Sequence, residues 1–280
     1  MSQSQTDNQL DQADGRNHPE ESQYVSQYET KPEFEIMGMF PSPVYYTKRP
    51  TDLNSTEEQE IKEILEGEMQ QLRPGVSRAS QNTYIFNTKL KDIHQFLIYQ
   101  AKKYIKEIYN PAQELTPYVT QSWLNLSKPG DVHHRHSHSN SIISGVFYIS
   151  TVEDDKINFF DPLDKMKSLW QIPPADNGAN VWNAMTFTPA VENNVLLLFP
   201  SYFDHGVMNN PLQTKDRISL SFNMFLEGIG GMELALNQMK LDAAKEYDVH
   251  RPPTYASNDP NDIEKGHSRF TEMGGLMPGF

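Results

Sequence analysis

The 280 residues suit one sizeable domain with appendages, and a hydrophobic share of 37% with a net charge of −13 leaves part of the chain outside any core. No apolar run reaches membrane-spanning length, and a chain without cysteine has no disulfide, iron–sulfur centre or thiol nucleophile. The acid excess also argues against a duplex DNA partner, which asks for a basic face.

Residues 1–36 are rich in Gln, Ser, Asn and Asp, and eight acids against two bases give them −6 of the total −13. Such a segment cannot bury enough apolar surface to offset its ordering entropy, so a disordered acidic tail is expected. It has neither a basic n-region nor an apolar h-region, and no secretory signal is expected. The block 36–46, interrupted by Pro41 and Pro43, reads as an extended lead-in or edge strand. An amphipathic helix is expected over 57–72, with Ser55 or Thr56 as its cap and Ile61, Ile64, Leu65, Met69 and Leu72 on its apolar face. A second helix is expected over about 91–109, closed by Pro111.

From residue 118 the period shifts to that of strands. They are expected over 119–127, 141–150, 156–160, 181–188, 194–199, 205–208 and 217–226, punctuated by Gly, Pro, Asn and Asp. About eight strands at this spacing predict a mainly β fold, a double-stranded β-helix (jelly roll, cupin-like), whose outer sheet the two flanking helices cover. The domain is expected to span 37–227. Residues 228–280 form a C-terminal extension with a flexible joint at 228–231, a short helix over 232–247 and a loosely ordered remainder.

Four histidines fall between 133 and 138. Residues two apart on a strand share a face, so His134 with His136, or His136 with His138, could form a metal-ligating pair. Neutral imidazole is a common ligand for first-row metals. A solvated His-rich loop would be the bland reading. Against it, the cluster leads into an apolar strand, and His205 stands at the tip of another. Arg217, Ser219, Ser221 and Asn223 share one face of a strand whose other face carries Ile218, Leu220 and Phe222. Turned inward, that polar row is costly without a partner. A dicarboxylate would supply one, gripped by the arginine through two parallel hydrogen bonds and by a serine hydroxyl; an outward-facing polar edge fits the alternation equally well. Tyr148, Ser144 and Asn125 are candidate further donors. Trp123, Phe160, Trp182 and Phe187 read as core or pocket wall, and Asp161, before Pro162, as a turn former rather than a ligand.

These residues fall into five ordered motifs over 38–226: Phe-Pro-Ser-Pro-Val at 40–44, Ser-Trp-Leu-Asn at 122–125, a His-x-His signature over 136–148 with Ser139 in place of a proline, Phe-Pro-Ser-x-x-x-His at 199–205, and Arg-x-Ser-x-x-Phe-Asn at 217–223. Together they resemble the iron(II)- and 2-oxoglutarate-dependent oxygenases, and more narrowly an oxygenase group frequent in phages and marine bacteria. The resemblance implies that His136, His138 and His205 bind Fe(II), and that Arg217 and Ser219, with Tyr148 and Asn125, hold 2-oxoglutarate. It implies a dioxygenase that uses O2, releases succinate and CO2, and hydroxylates an unidentified acceptor such as a proline side chain. A cytoplasmic protein, in the host cytoplasm if phage-encoded, is expected, and a homodimer is compatible with it. In one respect the chain departs from the superfamily's wider pattern: His138 stands where an Asp or Glu ligand is usual. Three histidines also suit zinc or a cupin-type enzyme that uses no 2-oxoglutarate. A further alternative is a non-catalytic jelly-roll module with a structural metal.

Overall fold

The computed structural model describes residues 38–241, apart from 168, 170, 171, 176, 177 and 179. The expected acidic tail and residues 242–280 lie outside the described residues. The chain divides into Met1–Ser42 and Pro43–Phe280. Of the first unit only 38–42 are described, and they hold neither helix nor strand. All that follows concerns the second.

Strand β1 (Tyr45–Lys48) pairs along an edge of the larger sheet; the lead-in block is a strand only in its last residues. Helix α1 (Ser55–Glu66) starts one residue earlier than its expected caps allow. Asn54 is the cap, accepting from the Glu57 N–H at 2.9 Å, while the Glu57 carboxylate accepts from the Asn54 N–H. The helix ends at Gly67 rather than running to 72. Beyond it, β2 (Met69–Gln70) pairs with β3 (Arg78–Ser80), strands too short to leave a periodic signal. Helix α2 (Lys91–Ile108) buries Ile93, Leu97, Ala101, Tyr104 and Ile105 on one face.

Next come β4 (Thr116–Ser127), β5 (His133–His136), β6 (Ile143–Ser150), β7 (Asn158–Phe160), the single turn α3 (Asp164–Lys167), β8 (Thr186–Phe187), β9 (Val195–Pro200), β10 (His205–Val207), β11 (Arg217–Gly230) and β12 (Met239–Leu241). From β4 onward the chain passes between two antiparallel sheets. The larger has the order β1-β9-β6-β11-β4-β3-β2, with β12 on β11; the smaller has the order β5-β10-β7-β8. This alternation is the double-stranded β-helix that the sequence predicts.

Two expectations are corrected. Over 181–188 only Thr186 and Phe187 form a strand, because Asn side chains bend the chain before it. Asn180 Oδ1 accepts from the Trp182 N–H at 2.8 Å, and Asn183 Oδ1 from the Asn180 N–H at 2.7 Å. Trp182 and Phe187 are exposed there, not core. Over 228–241 the joint and helix give way to a hairpin: β11 continues through Gly230, a 3-10 turn covers Glu233–Ala235, and β12 returns along β11. No helix among the described residues is long and apolar enough to cross a membrane.

The larger sheet is apolar on both faces in its middle, for different reasons. Its outer face carries Leu124, Leu220, Phe147 and Leu196 in one cross-strand row, packed with the buried faces of both helices. Its inner face adds Val146, Leu197 and Phe199, which meet Ile157, Phe159 and Phe203 in a second cluster. In the outer layer Gly145 stands opposite Phe222. A Cβ on Gly145 would lie 2.2 Å from Cζ of the Phe222 ring and 2.9 Å from Leu198 Cδ2. The ring therefore fills the space that a side chain would need. Gly145→Val should cost about 1–3 kcal/mol or more through overpacking, read as a lower urea midpoint at unchanged slope. Parental stability in that variant would show that the ring moves aside freely.

Candidate active site

The site begins with the pairing of β5 and β10. His205 lies opposite His136, and Val207 opposite His133, so three steps along β5 answer two along β10. This bulge breaks strict alternation: His133 and His136 both line the cavity, while His134 does not. Gly206 sits at the bulge. A Cβ there would lie 2.8 Å from the His133 carbonyl oxygen and 3.1 Å from that of His134, so only glycine lets β10 approach closely enough to set His205 beside His136. His138 lies just beyond β5, its N–H donating to the Ser201 carbonyl at 2.9 Å.

The candidate ligand atoms of His136, His138 and His205 all lie within 4.8 Å of one another. Two of the rings are oriented by backbone: Nδ1 of His136 is 2.8 Å from the His134 carbonyl oxygen, and Nδ1 of His205 is 2.9 Å from that of Phe203. Donation at Nδ1 leaves Nε2 with a free lone pair on each. His138 Nδ1 instead faces the Asn223 amide at 3.4 Å. That amide heads a polar chain in which Asn223 Oδ1 is 2.8 Å from Ser144 Oγ, Ser144 Oγ 2.9 Å from Ser201 Oγ, and Ser201 Oγ 2.8 Å from Ser141 Oγ.

The polar face of β11 points inward. Arg217, Ser219 and Ser221 line the same cavity as the three histidines, a space of about 520 Å³ open to solvent. Arg217 is 4% exposed, and its Nε–H is 2.8 Å from both carboxylate oxygens of Asp155, which is also 4% exposed. Its guanidinium carbon stands 5.1 Å from the centre of the Tyr148 ring. Ser219 is flanked by Asn125 on β4 and Tyr148 on β6. Asn125 donates to Ser221 Oγ at 2.8 Å, but its Oδ1 is buried without a hydrogen bond, and so is the Tyr148 hydroxyl beside Arg217. Buried polar atoms left in this way suit a ligand that completes them.

All seven residues proposed from sequence therefore line one cavity, and of His134 and His138 it is His138 that faces it. Trp123 forms part of its wall. Phe160 lies under the Arg135 guanidinium, outside the cavity. Asp161 is a turn former as expected, accepting from the Leu163 N–H at 2.8 Å and pairing with Lys167. Sequence reasoning missed three contributors. His133 was visible as a fourth histidine, but its inward orientation depends on the bulge. Gly206 directly follows a candidate ligand, a position that could have marked it. Asp155, in a Glu-Asp-Asp run, carried no signal for its pairing with an arginine 62 residues away.

Burial holds these imidazoles neutral, the form in which they can ligate a metal. It lowers His138 to about 4 and His133 to about 3, each further depressed by neighbouring imidazoles, and it lowers His136 and takes His205 well below the ordinary value. A histidine whose folded-state value is depressed leaves the unfolded chain with more bound protons as pH falls. The associated stability is present above about 6.5 and is lost on descending toward about 4. The Tm of the metal-free protein should accordingly fall between pH 7 and pH 5; a flat profile there would contradict neutral, buried imidazoles.

Residues 121–223 match the family described as "Putative 2OG-Fe(II) oxygenase". No curated protein sequence matches the chain. Among solved structures, an oxidoreductase of the 2OG-Fe(II) oxygenase family from Burkholderia pseudomallei is similar at 8% identity and a TM-score of 0.43, over 72% of this chain and 88% of that one. HygX from Streptomyces hygroscopicus, with nickel and 2-oxoglutarate bound, is similar at 11% identity and a TM-score of 0.43, over 72% and 85%. A Pseudomonas putida prolyl-4-hydroxylase is similar at 14% identity and a TM-score of 0.42, over 72% and 97%. The matched segment runs from within β4 to within β11 and contains the histidines, Arg217 and Asp155, so the likeness to the 2OG-Fe(II) oxygenases falls on the site itself.

Proposed function

We propose that the chain is a 2-oxoglutarate-dependent hydroxylase in which His136, His138 and His205 hold Fe(II) while Arg217 and Ser219 grip the far carboxylate of 2-oxoglutarate. The observation that carries this reading is the presence of a buried, inward-facing arginine and a three-imidazole cluster in one cavity. A structural metal would need no such arginine, and a cupin-type reaction without the dicarboxylate would leave it idle.

The donor set fits the metal. Three imidazoles, two of them with Nε2 left free by a backbone contact at Nδ1, suit a divalent first-row ion and leave coordination positions open. The Asn223 amide nitrogen faces His138 Nδ1 and its oxygen faces Ser144; ligation through His138 Nε2 would require that amide to turn over, so that its oxygen accepts from the Nδ1–H. Bound Fe(II), 2-oxoglutarate and O2 supply the oxidising power for inserting oxygen into a C–H bond, with succinate and CO2 released. The protein's own groups do the positioning. The Tyr148 hydroxyl and the Asn125 oxygen, both without partners, complete the polar wall around Arg217, and the apolar cluster of Val146, Ile157 and Phe199 excludes water from its base. For the acceptor, the family resemblance favours a protein side chain such as proline. A screen of peptides and small molecules for coupled succinate release identifies it.

Anaerobic titration of the Fe(II)-loaded protein with 2-oxoglutarate should produce the metal-to-ligand charge-transfer band; no band and no succinate above background would overturn the reading. Arg217→Leu should weaken 2-oxoglutarate binding roughly 10- to 150-fold, the equivalent of about 1.5–3 kcal/mol for a charge-assisted contact, without weakening metal binding. Loss of both together would instead indicate a folding defect.

A further inference from the structure

Asp155 has no place in the binding scheme above, yet among the described residues it is one of the most buried charges, and both its oxygens are committed to Arg217 Nε. Its contact occupies one of the five N–H bonds of the guanidinium and leaves the four Nη–H bonds for other partners. An arginine needs no such partner merely to bind a carboxylate, and a carboxylate beside it weakens its attraction for a second anion. The pair makes sense once the charges of the whole cavity are counted. Three neutral imidazoles bring no charge to a divalent ion; Arg217 adds one positive charge and Asp155 removes it. The sum is two positive charges, which one dicarboxylate dianion neutralises. Without Asp155 the site would keep an uncompensated positive charge on the buried Arg217, where it is costly. Asp204, next to His205, also acts on His136, but it and Asp164 pair with Arg135 and stay in contact with water, which screens them.

We propose that Asp155 is a specificity-determining and positioning residue that supplies, through Arg217, the negative charge that the three-imidazole metal site lacks, and so tunes the cavity to a divalent metal with a dianionic cosubstrate. The cosubstrate half of this statement rests on the function proposed above; the metal half does not.

Two titrations test it. The first uses Co(II) alone, followed by its absorbance. Asp155→Asn, which leaves Arg217 unpaired beside the metal site, should weaken Co(II) binding about tenfold or more, and adding Arg217→Leu should return it to within about threefold of the parent. Unchanged Co(II) affinity in Asp155→Asn, or no recovery in the double variant, would overturn the proposal. If Asp155→Asn alone fails to fold by circular dichroism, Arg217→Leu alone carries the test with the opposite sign: it should tighten Co(II) binding, and weaker binding in the folded variant would overturn the proposal.

The second measures 2-oxoglutarate binding to the Co(II)-loaded protein by calorimetry. His138→Asp adds a negative charge to the metal site and should weaken 2-oxoglutarate binding about tenfold; Asp155→Asn on that background should restore it. A role limited to anchoring Arg217 predicts the reverse, with Asp155→Asn weakening binding further, and that result would overturn the charge-balancing role. If the metal-loaded parent binds no 2-oxoglutarate, the proposed function falls, and the Co(II) titration alone decides the part played by Asp155.

Discussion

The site depends on a single register: His205 of β10 set against His136 of β5. These residues are far apart in the chain, and only a hydrogen-bonded ladder fixes them closely enough for their rings to share a ligand. Gly206 permits the approach by having no side chain where the β5 carbonyls pass, and the bulge beside it re-aims His133 and His136 to the same side. Slipping the pairing by one residue would turn His136 away from the cavity. The rest of the architecture serves to make that slip impossible.

The larger sheet provides the restraint. On its outer face the helices bury the apolar row centred on Leu220, and Phe222 lies over Gly145 to lock β11 against β6. Once that face is fixed, the alternation of β11 leaves Arg217, Ser219 and Ser221 nowhere to point but inward. The polar row is thus held by the apolar one behind it. A buried arginine would be unfavourable there without Asp155, so burial, pairing and ligand binding are parts of one electrostatic arrangement.

Much of this was legible in the sequence because it rests on short-range regularities. The stripe of α2 and the alternation of 119–127 and 217–226 each repeat a period, the apolar run before His205 is unbroken, and each became the expected element. Expectation failed where local chemistry or pairing overrode the pattern. Asn180 and Asn183 bent a segment that looked like a strand, and residues 239–241 found an open edge of β11 to pair with instead of forming a helix. The short strands β2 and β3 could not be read at all, since two or three residues carry no period.

By itself, then, the sequence determined the double-stranded β-helix, that Arg217 and Ser219 share one face of a strand, and a supply of imidazoles at two strand ends, because apolar burial enforces periods that residue order displays directly. The tertiary structure alone decided that His133 joins the other histidines in the cavity, and that Asp155 is the partner of Arg217. Those outcomes turn on a one-residue bulge and on a contact between residues 62 apart, and neither leaves a trace in local periodicity.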